Sequence, residues 1–100
     1  MSLLDDVRTT LDIVTPSEVT DKKCNLIIAR GKRYLRGFAP DLSNDNFDDQ
    51  TNAAYTLLLD YARYDYSNAV EMFKINFRTE LIALRQEYEV RAAGRSKDDS

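Results

Sequence analysis

The stretch "AAYTLLLDYARYDYSNA", residues 53–69, joins a regular apolar pattern to a polar end that is rich in tyrosine. Its apolar residues recur at intervals of three and four, which is the spacing of one face of an α-helix. They are Ala53, Ala54, Leu57, Leu58, Tyr61 and Ala62. The spacing predicts a helix that begins around residues 47–50, crosses the centre of the domain and ends at Ser67-Asn68. Asn68 and Glu71 have the spacing of a capping box, so we expect them to start the next helix.

Two more helices are predicted before this central one. Ser2 with Asp5 has the spacing of a helix N-terminus and predicts a short first helix, interrupted at Pro16, with Val14 among its apolar positions. The second helix should begin within residues 16–20 and end at about Arg36. Its apolar stripe is Val19, Cys24, Ile27, Ile28, Gly31, Tyr34 and Leu35. Glycine costs a helix about 1 kcal/mol relative to alanine, so we expect Gly31 to mark a close approach of another helix.

The last predicted helix is the longest and carries two apolar faces. One face is a seam formed by Val70, Phe73, Phe77, Leu81, Leu84 and Tyr88, and the other consists of Met72, Ile75 and Ile82. A small domain covers one such face more easily than two. We therefore interpret Met72, Ile75 and Ile82 as a subunit contact; the alternative is that the second helix covers both faces.

The predicted fold class is all-α: a small four-helix domain over residues 1–93, with a long C-terminal helix. Residues 94–100 contain no large apolar side chain and should form a flexible C-terminal tail. The composition of 43% hydrophobic and 31% charged residues is that of a folded chain. No window approaches the roughly 20 apolar residues of a membrane span, and no leader is evident, so we expect a protein made in a reducing cytoplasm without a membrane partner.

The residue types argue against an enzyme, a metal site and a cofactor site. Histidine is missing and Cys24 is the only cysteine, so the sequence has no Ser-His pair, no Cys-His pair and no cluster of thiolates. Cys24 is expected to act as a small apolar side chain. Two carboxylate pairs, Asp60 with Asp65 and Glu87 with Glu89, have no companion nucleophile or glycine-rich loop. We therefore predict no catalytic residues.

A loop at residues 41–46 resembles the opening of a calcium loop but departs from that motif at two decisive positions. Asn46 stands where the glycine should be, and Asn52 stands where the glutamate should be. We expect Asp48 and Asp49 to cap the third helix instead.

The densest positive patch is Arg30, Lys32, Arg33 and Arg36, near the end of the second helix. These side chains could contact DNA or a partner, or they could complement the negative end of the helix dipole. A net charge of -3 argues against a protein that coats nucleic acid. We therefore keep both interpretations of this patch: contact with DNA or a partner, and a structural role at the end of the helix.

Tyrosines 64 and 66 flank Asp65 in the polar end of the opening stretch. On a helix Tyr61 should point into the domain, Tyr64 should follow on the same side, and Tyr66 should project elsewhere. Tyrosine suits both a buried corner and a protein interface. We leave both roles open for Tyr64 and Tyr66: cover of the helix corner, or subunit interface.

Four segments give the chain a resemblance to a known family: "LLDDVRTTLDI" (3–13), "IIARGKRYL" (27–35), residues 53–69, and "FKINFRTELIALRQEY" (73–88). With the acidic loop between them, they resemble the small all-helical head-tail connector proteins of tailed phages and prophages, also called adaptor or head completion proteins. The resemblance spans nearly the whole chain.

The resemblance implies a subunit of a homo-oligomeric ring, dodecameric in the virion, located under the portal protein at the head-tail junction. Such a ring extends the DNA channel, lets DNA pass without sequence-specific binding, and docks the next connector, stopper or tail protein. It also implies that the segment from Arg91 onward, with Arg95 and Lys97, contacts the portal. The competing hypotheses are a small helical DNA-binding regulatory protein that uses Arg30, Lys32, Arg33 and Arg36, and an enzyme accessory subunit.

Overall fold

The structure, a computed structural model, describes the backbone of residues 2–98 and the side chains of residues 2–91. Over these residues the chain forms six α-helices and no strand, which confirms the all-α class. The helices are α1 (Leu3–Thr10), α2 (Glu18–Arg36), α3 (Asn44–Asp48), α4 (Ala53–Tyr66), α5 (Val70–Asn76) and α6 (Arg78–Asp98). Helix α4 contacts each of the other five and is the central helix that its apolar pattern predicts.

Over residues 2–98, the structure has two helices more than the four predicted. The first additional helix, α3, lies in the acidic loop. Ser43 caps the short helix α3, and the Asn46 side chain accepts a hydrogen bond from the Ser43 N–H at 2.9 Å. Phe47 is fully buried and anchors this turn in the core.

The start of α4 also differs from the prediction. Asn52, not Asp48 or Asp49, caps the helix by accepting a hydrogen bond from the Ala54 N–H at 2.9 Å. Asp49 instead accepts from the backbone N–H and the hydroxyl of Thr51, which forms a local turn. The predicted start at residues 47–50 is therefore too early.

The second correction lies at Phe77, where the predicted last helix divides into α5 and α6. The Phe77 N–H still donates to the Phe73 carbonyl, but the Phe77 backbone leaves helical geometry at φ -113° and ψ 21°. Phe73 and Phe77 stack with ring centroids 4.9 Å apart. Because the break contains neither glycine nor proline, the sequence pattern carries no signal for it.

The joint between α4 and α5 uses Asn68 differently from the predicted capping box. Asn68 has φ 56°, and the next N–H, of Ala69, donates to the Tyr64 carbonyl at 2.8 Å. This is the Schellman arrangement, in which a left-handed residue closes a helix C-terminus. Asn68 therefore ends α4, and Ala69 starts α5 without a side-chain cap.

Gly31 lies where α2 and α4 touch, as predicted. A Cβ atom at Gly31 would overlap Leu58 Cδ1 and would lie 2.8 Å from Tyr61 Cδ1. Two residues of the predicted apolar faces are exposed instead: Val19, at 77%, and Val14, which lies beyond α1, at 90%. The buried stripe of α2 starts at Cys24.

Helix α6 continues beyond the predicted domain end at residue 93 and reaches Asp98. The predicted tail 94–100 therefore has helical backbone up to residue 98, while residues 99 and 100 lie outside the described part of the chain. Within residues 2–98, no helix combines the length and the apolar content needed to cross a membrane.

Candidate functional site

The apolar face formed by Met72, Ile75 and Ile82 is open in the structure. Ile75 is 66% exposed, Met72 43% and Ile82 42%, whereas the neighbouring seam residues Phe73 and Leu81 are buried. The two faces are thus separate, as predicted. The alternative that α2 covers both is wrong.

A groove lies beside this face, between helices α5 and α6 and the residue Phe38 just after α2, with a volume of about 350 Å³. We call it the basic groove; it is lined by Phe38, Lys74, Ile75, Arg78, Leu81 and Ile82. Within the described part of the chain, the side chains of Lys74 and Arg78 form no hydrogen bond or ion pair. Apolar surface rimmed by unpaired charge is typical of an interaction site.

Sequence reasoning missed the cations and Phe38. Lys74 and Arg78 are four residues apart and flank Ile75, a spacing that could have indicated a basic edge to the apolar face. Phe38 carries no such signal, because its place beside α6 depends on how α2 crosses the molecule.

A second groove, of about 370 Å³, lies between α4 and α6. We call it the acidic groove; its lining includes the carboxylates of Asp60, Glu80 and Glu87 and the apolar side chains of Leu57, Ala83 and Leu84. Burial raises the pKa of Asp60, with a weaker opposing effect of Arg63 and a further increase from Glu80. Asp60 therefore shares an apolar cleft with Glu80 and Glu87, and the charge of Arg63 acts on it against the like charge of Glu80.

The structure does not form either of the carboxylate pairs considered from the sequence. Asp60 lies in the acidic groove, while Asp65 binds Arg30. Glu87 pairs with Arg91 at 3.0 Å, and Glu89 approaches Arg85 at 4.0 Å. The seven-residue spacing of Glu80 and Glu87, which places them on one helix face, was the available sequence signal for the acidic groove.

Tyr64 belongs to the helix corner. Its ring meets those of Phe73 and Phe77 edge-on, with centroids 5.7 Å and 5.8 Å away, and Asn76 Nδ2 donates to its hydroxyl at 3.1 Å. Tyr66 projects elsewhere, as predicted, and is 43% exposed with the Lys23 ammonium 5.0 Å from its ring centroid. Of the two tyrosines, Tyr66 has the accessibility that a subunit contact requires.

Arg30, the first residue of the basic cluster, joins α2 to the end of α4. Its Nε and Nη2 atoms donate to the two carboxylate oxygens of Asp65 at 2.9 Å and 2.7 Å, and the Tyr61 hydroxyl donates to the same carboxylate at 2.9 Å. The Arg30 hydrogen bonds hold the pKa of Asp65 below its usual value. Burial and the bond to Asp65 raise the pKa of Tyr61 to about 12.

Two more residues of the cluster fasten the loop that follows α2. Arg36 donates to the Leu42 carbonyl at 2.9 Å and to Asn44 Oδ1 at 3.2 Å. Lys32 reaches Asn44 Oδ1 at 3.4 Å and, like Arg36, lies over the Phe47 ring. Arg33 is exposed and makes no such contact among the described residues. This engagement favours a structural role for most of the cluster.

Cys24 is buried, and burial raises the pKa of its thiol, which fits a small apolar side chain. Residues 2–91 bring together no group of three or more side chains that could hold a metal ion.

Of the residues that the resemblance assigns to portal contact, Arg91 is exposed, pairs with Glu87 and lies 5.0 Å from the centroid of the Tyr88 ring. The side chains of Arg95 and Lys97 lie outside the described ones. Comparison with protein-family models, with curated proteins and with solved structures finds no match to this chain.

Proposed function

We propose that the chain is a structural subunit of a homo-oligomeric ring, the head-tail connector function that its sequence resemblance implies. The observation that carries the proposal is the open apolar face of Met72, Ile75 and Ile82, next to the basic groove. Three large apolar side chains are exposed on adjacent helices, and two of them, Ile75 and Ile82, line the same groove, which favours a protein contact because water is a poor environment for exposed apolar surface.

The subunit acts through its shape in this proposal. Copies join on the portal protein at the head-tail junction, extend the DNA channel and present a surface for the next connector, stopper or tail protein. Arg91, Arg95 and Lys97 near the end of α6 are the proposed portal contact. The chain is made in the bacterial host cytoplasm and resides in the virion.

The charge distribution supports free passage of DNA through such a ring. Arg30, Lys32 and Arg36 have partners within the chain, and the net charge is -3. The net negative charge, together with the pairing of Arg30 to the Asp65 carboxylate, weakens the phosphate neutralisation that is the main source of non-specific DNA affinity. The same observation disfavours the DNA-binding regulator.

The proposal is tested with the purified chain and the portal protein encoded next to it in the same genome. Electron microscopy of the mixture should show portal rings extended by a ring of this chain. Ile75→Asp should weaken this association at least about tenfold, because it places a charge in the apolar contact.

Val19→Asp is the matched control, since Val19 on α2 is also largely exposed, at 77% against 66% for Ile75, but lies outside the proposed contact. It should leave the association unchanged. If the chain stays monomeric and never joins a portal ring, the connector proposal is wrong. Salt-sensitive binding to duplex DNA that Arg33→Glu abolishes would favour the DNA-binding regulator instead.

A further inference from the structure

We propose that the acidic groove of one copy receives the basic groove of the next copy, so that the subunits contact one another head to tail. This inference rests on the proposed ring and specifies its mating surfaces. The occupant of each groove is therefore a second copy of this chain.

The charges of the two grooves are complementary. Lys74 and Arg78 line the basic groove without a carboxylate among its lining residues. Asp60, Glu80 and Glu87 line the acidic groove without a cation in the lining, while Arg63 and Arg91 act on Asp60 and Glu87 from outside it. Among residues 2–91, Lys74, Arg78 and Glu80 form no hydrogen bond or ion pair with another side chain. These three charges remain available for a partner.

The position of the grooves on α6 suits a ring. Glu80 and Ile82 are two residues apart, which puts them roughly 160° apart around a helix axis. Leu81 and Leu84, between them, face the core and are buried. The two grooves thus open on opposite sides of α6, and a contact between different surfaces of identical subunits closes into a ring when its rotation permits.

The charges also select against the competing symmetric contact. A two-fold dimer through the basic grooves would bring Lys74 and Arg78 near their own copies, and one through the acidic grooves would gather carboxylates. Like charges at an interface are unfavourable, whereas opposite charges set orientation and partner choice. The apolar side chains Ile75 and Ile82 supply most of the affinity, because an exposed ion pair by itself contributes little.

The first experiment detects the contact even when it is weak. Equal amounts of unlabelled and ¹⁵N-labelled chain are treated with a carbodiimide, which joins an amine to a carboxylate that lies against it, and the products are mapped by mass spectrometry. Mixed-isotope peptides should link Lys74 to Asp60, Glu80 or Glu87. If the chain stays monomeric at millimolar concentration and yields no such link, the inference is overturned.

The second experiment reverses the charges of one groove at a time. Lys74→Glu with Arg78→Glu makes both grooves acidic, and Glu80→Lys with Glu87→Lys makes both basic. Each double variant should lose self-association and the mixed-isotope links, while an equimolar mixture of the two should regain association with strictly alternating copies. All four side chains are exposed, and circular dichroism checks that both variants are folded.

The matched control is Lys22→Glu with Arg33→Glu, which makes the same charge change on exposed positions of α2. It should associate as the unaltered chain does. Unchanged association of both groove variants, or a mixture that fails to restore it, contradicts head-to-tail pairing of the grooves.

The outcomes separate this inference from the proposed function. Rings on the portal without any dependence on Lys74, Arg78, Glu80 or Glu87 would leave the connector proposal standing and overturn the groove pairing. Mixed-isotope links without recruitment to the portal would support the groove pairing and overturn the connector proposal.

Discussion

Gly31 shows how one missing side chain sets the distance between α2 and α4. Gly31→Ala should gain up to about 1 kcal/mol of helix propensity but lose about 1–3 kcal/mol to overpacking against Leu58 and Tyr61. We therefore expect a lower free energy of unfolding, measured by chemical denaturation. Leu58→Val removes the atom that the new Cβ would overlap, so the cost of Gly31→Ala should shrink in that background. Equal costs in both backgrounds would contradict close packing as the cause.

Asp65 should make the stability of the chain depend on pH in the acidic range. Its pKa in the folded chain is below the usual 3.8, mainly because Arg30 donates to it. The carboxylate form is thus favoured by folding: its contribution is complete above about pH 4 and is lost as pH falls through the lowered pKa. Asp65→Asn should reduce stability at pH 7 and flatten the acid-side decline. An unaltered pH profile in this variant would show that the Arg30 bridge is not its source.

Asp60 should affect the pH dependence of stability in the opposite direction to Asp65. Burial and the nearby Glu80 raise its pKa, against the effect of Arg63, so the charged form is less favourable in the folded chain than in the unfolded chain. Ionisation then costs stability as pH rises through the usual value of 3.8 and beyond. Asp60→Asn should increase the free energy of unfolding at pH 7 and have little effect at pH 3. A decrease at pH 7 would show that the carboxylate has a stabilising partner.

Helix α4 ends because Asn68 adopts a left-handed backbone conformation. The stability of the α4–α5 joint should therefore depend on how easily residue 68 adopts that conformation. Asn68→Gly should preserve or raise the melting temperature, since glycine adopts positive φ without strain. Asn68→Ala should cost about 1 kcal/mol, because a Cβ in this conformation is unfavourable. Asp12, at φ 59° after α1, provides an independent comparison and should rank glycine and alanine in the same order. The reverse order at Asn68 would mean that strain from a Cβ in the left-handed conformation does not limit the stability of the joint.

The elements that the sequence predicts well are those whose apolar residues repeat over several turns. The stripe from Cys24 to Leu35 and the pattern from Ala54 to Ala62 locate α2 and α4, because successive turns within those two ranges contribute core residues. Helix α3 escapes prediction since it is five residues long and has one buried side chain, Phe47. The break at Phe77 escapes it because the apolar spacing runs through unchanged.

The candidate site also has a part that the sequence predicts and a part that it does not. Met72, Ile75 and Ile82 could be assigned to a separate face from spacing alone, whereas the grooves beside them join residues of several helices. Phe38 reaches α6 only because α2 crosses the molecule, and Asp60 meets Glu80 only because α4 and α6 pack together. Similarly, Arg30 finds Asp65 across 35 positions of sequence, so its role could not be read from the local cluster of cations.

At the scale of the whole molecule, the folded unit and the end of α6 should be separable. Tyr88 is the last buried side chain among those described, and residues 92–100, "AAGRSKDDS", offer only two alanines as apolar surface. A chain that ends at Arg91 should therefore unfold at the same denaturant concentration as the full chain, because hydrophobic burial is the main source of stability. It should nevertheless lose association with the portal if Arg95 and Lys97 make that contact. Full-length Arg95→Ala with Lys97→Ala is the matched control and should show the same loss without any truncation. If the truncated chain is less stable than the full chain, residues 92–100 contribute to the stability of the fold. If the truncated chain still joins the portal, these residues are not needed for the proposed portal contact.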